Sequence, residues 1–178
     1  VEDYLKKGYL KEALINFVAF LGWNPGAGST QEIFSQSELI SVFDLSGVHK
    51  SGAVFDLKKL DWMNAEYIKK LSINELYERI ISGKFLEKDL IRKAPEEMQT
   101  EEYLKRVLTI EQDRLAKLSD VGESNPFFFA SEISYDAALL NWKQNTPDMT
   151  KEALEKAQTI LVNLNDADFA QKEVLEKV

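Results

Sequence analysis

The chain has 178 residues, 22 Lys and Arg against 30 Asp and Glu, a net charge of −8, one histidine and no cysteine. That length suits one or two folded units with a true core. The missing thiols exclude disulfides, Cys-ligated zinc, iron–sulfur clusters and thiol nucleophiles, and His49 has no second histidine to join at a metal. No apolar run approaches the roughly 20 residues of a membrane span and no signal-peptide pattern opens the chain, so a soluble protein is expected; a reducing compartment fits.

Val1 runs without a Met straight into Tyr4, Leu5, Leu10 and Leu14, as if a helix were under way, and residues 171–178 read as a helix with no stop signal. A piece of a longer protein is the expectation. Leu10, Ala13/Leu14, Phe17/Val18 and Leu21 keep helical spacing up to Gly22 and the Asn24-Pro25-Gly26 turn. Ser35-x-x-Glu38 is a capping box, opening a helix through Leu39, Ile40 and Phe43 that Gly47 would end. Residues 48–50 and 53–55, flanking Ser51-Gly52, carry the chain's one strand signal and could form a short two-stranded element.

Asp56 reads as the N-cap of a helix bearing Leu57, Leu60, Met63 and Tyr67. A second capping box, Ser72-x-x-Glu75, then starts a helix with Leu76 and Ile80, and position 72 is a natural boundary. Gly83 breaks that helix and Pro95 marks a loop. Thr100 caps what the spacing of Leu104, Val107/Leu108, Leu115 and Leu118 predicts to be one long, exposed helix. A turn over 121–126 leads to Phe127-Phe128-Phe129, a helix over 137–142, and a Thr150-capped helix with Ala153, Ala157, Ile160/Leu161 and Leu164. The reading is a mainly α protein, with no internal repeat.

No residue constellation supports chemistry. The glycines at 22, 26, 28, 47 and 52 never fall into the spacing of a phosphate-binding loop. The carboxylates are scattered as on solvated helix faces, and His49 has no partner placed for acid–base work. Interaction surface remains. From Gly47 to Lys70, lysines 50, 58, 59, 69 and 70 stand against Asp56, Asp61 and Glu66, a local +2. From Tyr103 to Leu118, Lys105, Arg106, Arg114 and Lys117 stand against Glu111 and Asp113, again +2. Positive patches on an anionic chain suit a selective nucleic-acid binder. The competing reading, from the net charge and the acidic C-terminal half, is an all-helical protein-binding module without catalytic activity.

Several strings carry more than composition. Gly8-Tyr9-Leu10-Lys11-Glu12-Ala13-Leu14-Ile15-Asn16-Phe17, then Leu21-Gly22-Trp23, resembles the segment following the catalytic lysine loop of bacterial-type glutamyl-tRNA synthetases. Glu32-Ile33-Phe34 and Phe55-Asp56-Leu57-x-Lys59-Leu60-x-Trp62-Met63-Asn64-x-x-Tyr67-Ile68 resemble the stem-contact region of that family in order and spacing. Phe127-Phe128-Phe129 and Tyr135-Asp136-x-x-Leu139-Leu140-x-Trp142 resemble landmarks of its first anticodon-binding bundle.

The resemblance implies a stem-contact region over 1–72 and an anticodon-binding helical domain over 73–178, cut short. It implies glutamate tRNA as partner, and ATP, Mg2+ and glutamate for a full-length ligase whose catalytic domain precedes this piece. The piece itself is expected to hold no cofactor or metal and to be inactive alone, in a cytoplasmic protein; its acidic composition without a zipper suggests a monomer. Arg114 falls where the family's arginine reads the third anticodon base, and Lys59, Trp62 and Lys69 where residues face the tRNA elbow and D-stem. Arg106 belongs to the basic stretch around Arg114, and Lys50 could reach a phosphate. From the residues alone Trp62 reads as core among Leu60, Met63 and Tyr67, and Arg114 as one more arginine on an exposed helix. Asn64 and Tyr67 read as packing the junction between the two regions.

Overall fold

A computed structural model describes residues 1–26, 28–48, 54–123, 125–141 and 143–164. His49, Lys50 and Trp142 therefore lie outside the described residues, as does the expected helix over 171–178. The chain divides into two compact units, Val1–Glu132 and Ile133–Val178.

The first unit opens with two helices where the apolar spacing suggested one: α1 (Glu2–Lys6) and α2 (Lys11–Phe20). Gly8 separates them. It holds φ +89, and a Cβ there would stand 2.5 Å from the Ser119 amide nitrogen, so the chain turns where only glycine fits. The Ser35–Glu38 capping box forms as read, with both reciprocal bonds present, and starts α3 (Gln36–Val42). That helix stops short of Gly47, because Asp44 accepts from the Ser46 amide and caps a separate 3-10 turn, Leu45–Gly47.

Next to it, the expected pairing of 48–50 with 53–55 falls largely on residues outside the described ones, and Val48 has a different partner. Val48 makes an antiparallel bridge with Trp23, and the Asn24 amide donates to the Gly47 carbonyl at 3.2 Å. Val54 and Phe55 lie in no strand, and 49–53 fall outside the described residues. The Trp23 indole packs so close to Gly47 that a Cβ would come within 2.8 Å of Nε1, which draws this segment to the exit of α2.

Asp56 caps α4 (Leu57–Lys69), accepting from the amides of Lys58 and Lys59, and Ser72 with Glu75 caps α5 (Ile73–Ser82). α6 (Asp89–Arg92) and a 3-10 turn (Glu96–Gln99) follow, then α7 (Glu101–Glu111), capped by Thr100 as expected. The long exposed helix does not form. α7 ends at Glu111, a 3-10 turn (Gln112–Arg114) follows, and Leu115 and Leu118 are buried from non-helical and 3-10 backbone. Their spacing matched a helix, but the core they enter lies off its axis.

That core joins Leu10 and Ala13 to Ile68, Leu76, Ile80, Leu104, Leu108, Leu115, Val121 and Phe129. It runs straight across position 72. Smaller clusters gather Tyr9, Phe17, Leu60 and Met63, and Trp23, Phe34 and Leu39. In the second unit a 3-10 turn (Ala137–Leu140) replaces the helix expected over 137–142, and α8 (Pro147–Val162) is capped by Thr146, not Thr150. Pro147 explains the shift, since the first helical position needs no amide donor. No residue of α8 is buried. Among the described residues there is no strand, and no helix is long and apolar enough to cross a membrane.

Candidate nucleic-acid interface

α4 buries Leu60, Met63, Asn64 and Ile68, a stripe at i, i+3, i+4 and i+8. Trp62 falls off that stripe and is 44% exposed, so its ring belongs to the surface and not to the core. Lys59 and Lys69 lie on the outer faces. The Lys59 ammonium pairs with Glu32 and stands 5.6 Å over the Phe20 ring, at the edge of a polar hollow of about 400 Å3 that Trp23, Asn24 and Gln31 also line. Lys69 donates to Glu66 at 2.7 Å. That carboxylate, and more weakly Asp113, raise the Lys69 pKa above its ordinary value.

The turn itself is held on two sides. Glu111, 1% exposed, accepts from Asn125 Nδ2 at 2.6 Å and from the Gly122 amide at 3.3 Å. Gln112 Nε2 donates to the carbonyls of Ile68 and Leu71 at 2.9 and 2.8 Å. Glu111 and Gln112 are therefore structural. Arg114 projects from this anchored backbone, exposed, and among the described residues no carboxylate or ring engages its guanidinium. Arg106, on α7, donates to Glu102 at 2.5 Å; both side chains are about three-quarters exposed, and such a pair contributes little and yields readily to a phosphate. Lys50 lies outside the described residues.

Asn64 and Tyr67 each bond to segments distant in sequence. Asn64 Oδ1 accepts from the Leu10 amide at 2.8 Å while its Nδ2 donates to the Ala116 carbonyl at 2.6 Å. The Tyr67 hydroxyl faces the Phe34 carbonyl and Asn16 Oδ1. Burial, with Glu12 and Glu38 adding negative charge, pushes that hydroxyl up to about 12. Sequence reasoning missed the anchoring by Glu111 and Gln112. One signal was available: Glu111 continues the apolar stripe of Leu104, Val107 and Leu108, where a carboxylate needs donors waiting for it.

Two family models match the chain in succession. The catalytic domain of class I tRNA synthetases (E and Q) matches residues 1–62, and an anticodon binding domain matches residues 61–178. With its helical core and an anchored, solvent-facing arginine, the chain is thus part of a class I aminoacyl-tRNA synthetase. Within that class it belongs to the glutamyl-tRNA synthetase family. It is 40% identical over 171 residues to a glutamate–tRNA ligase of Clostridium novyi (strain NT), covering 94% of this chain and 33% of that protein. It is 38% identical over 157 residues to one from Chloroherpeton thalassium, covering 85% and 31%. The crystal structure of a glutamate tRNA ligase from Elizabethkingia meningosepticum, in complex with its amino acid, superposes with a TM-score of 0.68 at 29% identity, covering 91% of this chain and 30% of that one. The chain spans about a third of the length of the curated relatives it matches.

Proposed function

We propose that this chain grips the inner side of glutamate tRNA and reads its anticodon, within a cytoplasmic protein that attaches glutamate to that tRNA at the expense of ATP. The observation that carries this reading is Arg114: an exposed guanidinium, engaged by no carboxylate or ring among the described residues, on a turn that starts at anchored Gln112 and ends at buried Leu115. In this reading residues 1–72 meet the stem and 73–178 the anticodon, although one core, drawn from Leu10 to Phe129, crosses that boundary. Arg114 offers donors and no acceptor, which suits the acceptor edge of an unstacked cytosine, and its bulk opposes the larger guanine of the glutamine anticodon. Trp62 packs on a sugar or base, while Lys59 and Lys69 exchange their carboxylate partners for phosphate, with Lys50 and Arg106 as outlying contacts.

Glutamate, ATP and Mg2+ are substrates and cofactors of the catalytic part of the whole protein. Among the described residues no three His, Cys, Asp or Glu side chains converge as a metal site. By itself the chain binds and does not aminoacylate, and it acts as a monomer. The protein-binding alternative rests on the net charge and the acidic C-terminal half.

The test is a fluorescence-anisotropy titration with glutamate tRNA and with the same tRNA carrying G for C at the third anticodon base, at two salt concentrations. Wild type should prefer C, Arg114→Ala should lose about 1–3 kcal/mol of that preference, and binding should weaken steeply with salt. Tight binding indifferent to both the base and Arg114 would remove the anticodon role and leave the affinity with α4. Binding insensitive to salt would overturn the electrostatic grip.

A further inference from the structure

We infer that Gln112 is a positioning residue that locks the Arg114 turn to the end of α4, so that contact with the tRNA body and reading of the base occur on one rigid surface. The inference rests on the role proposed for Arg114. Gln112 touches no RNA in this scheme; it acts through the backbone that carries Arg114.

Three observations lead there. First, the carboxamide spans two acceptors, the carbonyls of Ile68 in the last turn of α4 and of Leu71 just beyond its cap, where partial negative charge gathers. Both neighbours are acceptors, so the NH2 group and not the oxygen must face them, and no other orientation of the amide satisfies the site. Second, the Gln112 carbonyl accepts from the Leu115 amide at 3.3 Å, closing the turn around Arg114, and Leu115 is buried immediately beyond. Third, buried Glu111, the residue before Gln112, is held by Asn125 and Gly122, so the entry to the turn is fixed at two successive residues. Arg114 is therefore an exposed side chain on a backbone tied to the end of α4 two residues earlier. Lys69 lies between the two carbonyls that Gln112 holds, near enough for the Asp113 charge to act on it.

A consequence follows for specificity. A guanidinium discriminates bases only if its backbone origin is fixed, because a loose turn lets the arginine find a phosphate or another base edge instead. Loss of the Gln112 bonds should remove discrimination while leaving salt-dependent affinity, which the lysines supply.

Two variants separate the donor from the bulk. Gln112→Met keeps length and removes the donor; Gln112→Lys restores a donor of similar reach at a helix end that favours positive charge. The readouts are the ratio of Kd values for the C and G tRNAs, which cancels any general gain from the added lysine charge, and amide hydrogen exchange at Leu115 in the free chain. Gln112→Met should cut the C-over-G ratio by at least about fivefold, the lower end of what one base contact contributes, with affinity for the G tRNA unchanged. Adding Arg114→Ala should then cause no further loss. Exchange at Leu115 should quicken in Gln112→Met, and Gln112→Lys should keep both the ratio and the protection. A wild-type ratio in folded Gln112→Met, unchanged exchange at Leu115, or equal loss in both variants overturns the inference. If wild type shows no base preference, the Arg114 reading is what fails; the exchange data still decide whether Gln112 holds the turn.

Discussion

The carboxamide of Asn64 accepts the backbone amide of Leu10, 54 residues away in sequence, at 2.8 Å, and does so from a side chain with no solvent exposure. Its nitrogen reaches the Ala116 carbonyl, so one residue of α4 ties the start of α2 to the segment leaving the Arg114 turn. Asn64→Leu would strand both backbone groups in the interior. Each unsatisfied buried group costs about 1–3 kcal/mol, so a loss of roughly 3 kcal/mol is expected by urea denaturation. Asn64→Ser, small enough to admit water, should recover part of it. A loss below about 1 kcal/mol in the Leu variant would show that the junction is held elsewhere.

Glu12 and Arg79 form a two-point ion pair between α2 and α5, at 2.8 and 3.1 Å. Both side chains are about a third exposed, so solvent screening limits the pair to about 1 kcal/mol. The Arg79 guanidinium, bonded to both oxygens, holds the Glu12 carboxyl below its ordinary value of 4.5. Because the folded pKa is the lower one, the stabilisation is complete above the unfolded pKa and disappears as pH falls through the folded one. Wild type should therefore exceed Glu12→Gln in stability at pH 7 and match it near pH 2 (roughly, below both pKa values), as measured by denaturation at each pH. An advantage that survives at the acid end would assign it to packing.

Gly8 and Gly26 both hold positive φ, yet only Gly8 faces backbone. Gly26→Ala should lower stability by about 1–2 kcal/mol, the strain of a left-handed conformation alone. Gly8→Ala adds a collision with the Ser119 and Leu118 amides, which are rigid, and should lower stability by more than twice as much or prevent folding. Circular dichroism melts of the two variants side by side make the comparison. Equal losses would mean that the loop around Gly8 can move away from residues 118–119.

Trp62 offers the converse separation. Its exposed ring contributes little to the core, so Trp62→Ala should change stability by less than about 0.5 kcal/mol. Affinity for tRNA should fall by about 1–3 kcal/mol if the indole stacks on RNA. A variant that melts early but binds normally would return Trp62 to a packing role.

What could be read from the sequence was local. The Ser35–Glu38 and Ser72–Glu75 boxes and the Asp56 and Thr100 caps formed where expected, because their partners are three residues or fewer apart and need no tertiary context. The stripe of α4 was equally visible, and counting along it would have placed Trp62 outside. The errors came where distant segments decide the backbone: the break at Gly8, imposed by residues 118–119, and the end of α7, where Glu111 and Gln112 turn to partners elsewhere in the fold. Arg114 was named from its neighbours in the sequence, on a helix that does not extend that far.

The sequence by itself determined that the chain is helical, where α3, α4, α5 and α7 begin, and which family it resembles, since caps, apolar periodicity and ordered strings are properties of neighbouring residues. Only the tertiary structure decided that one core spans position 72, and that Arg114 stands exposed on a turn tied through Gln112 to the end of α4. Those facts rest on hydrogen bonds and burial between segments some 40 to 50 residues apart, such as Gln112 with Leu71 and Asn64 with Leu10, and no local spacing encodes such pairs.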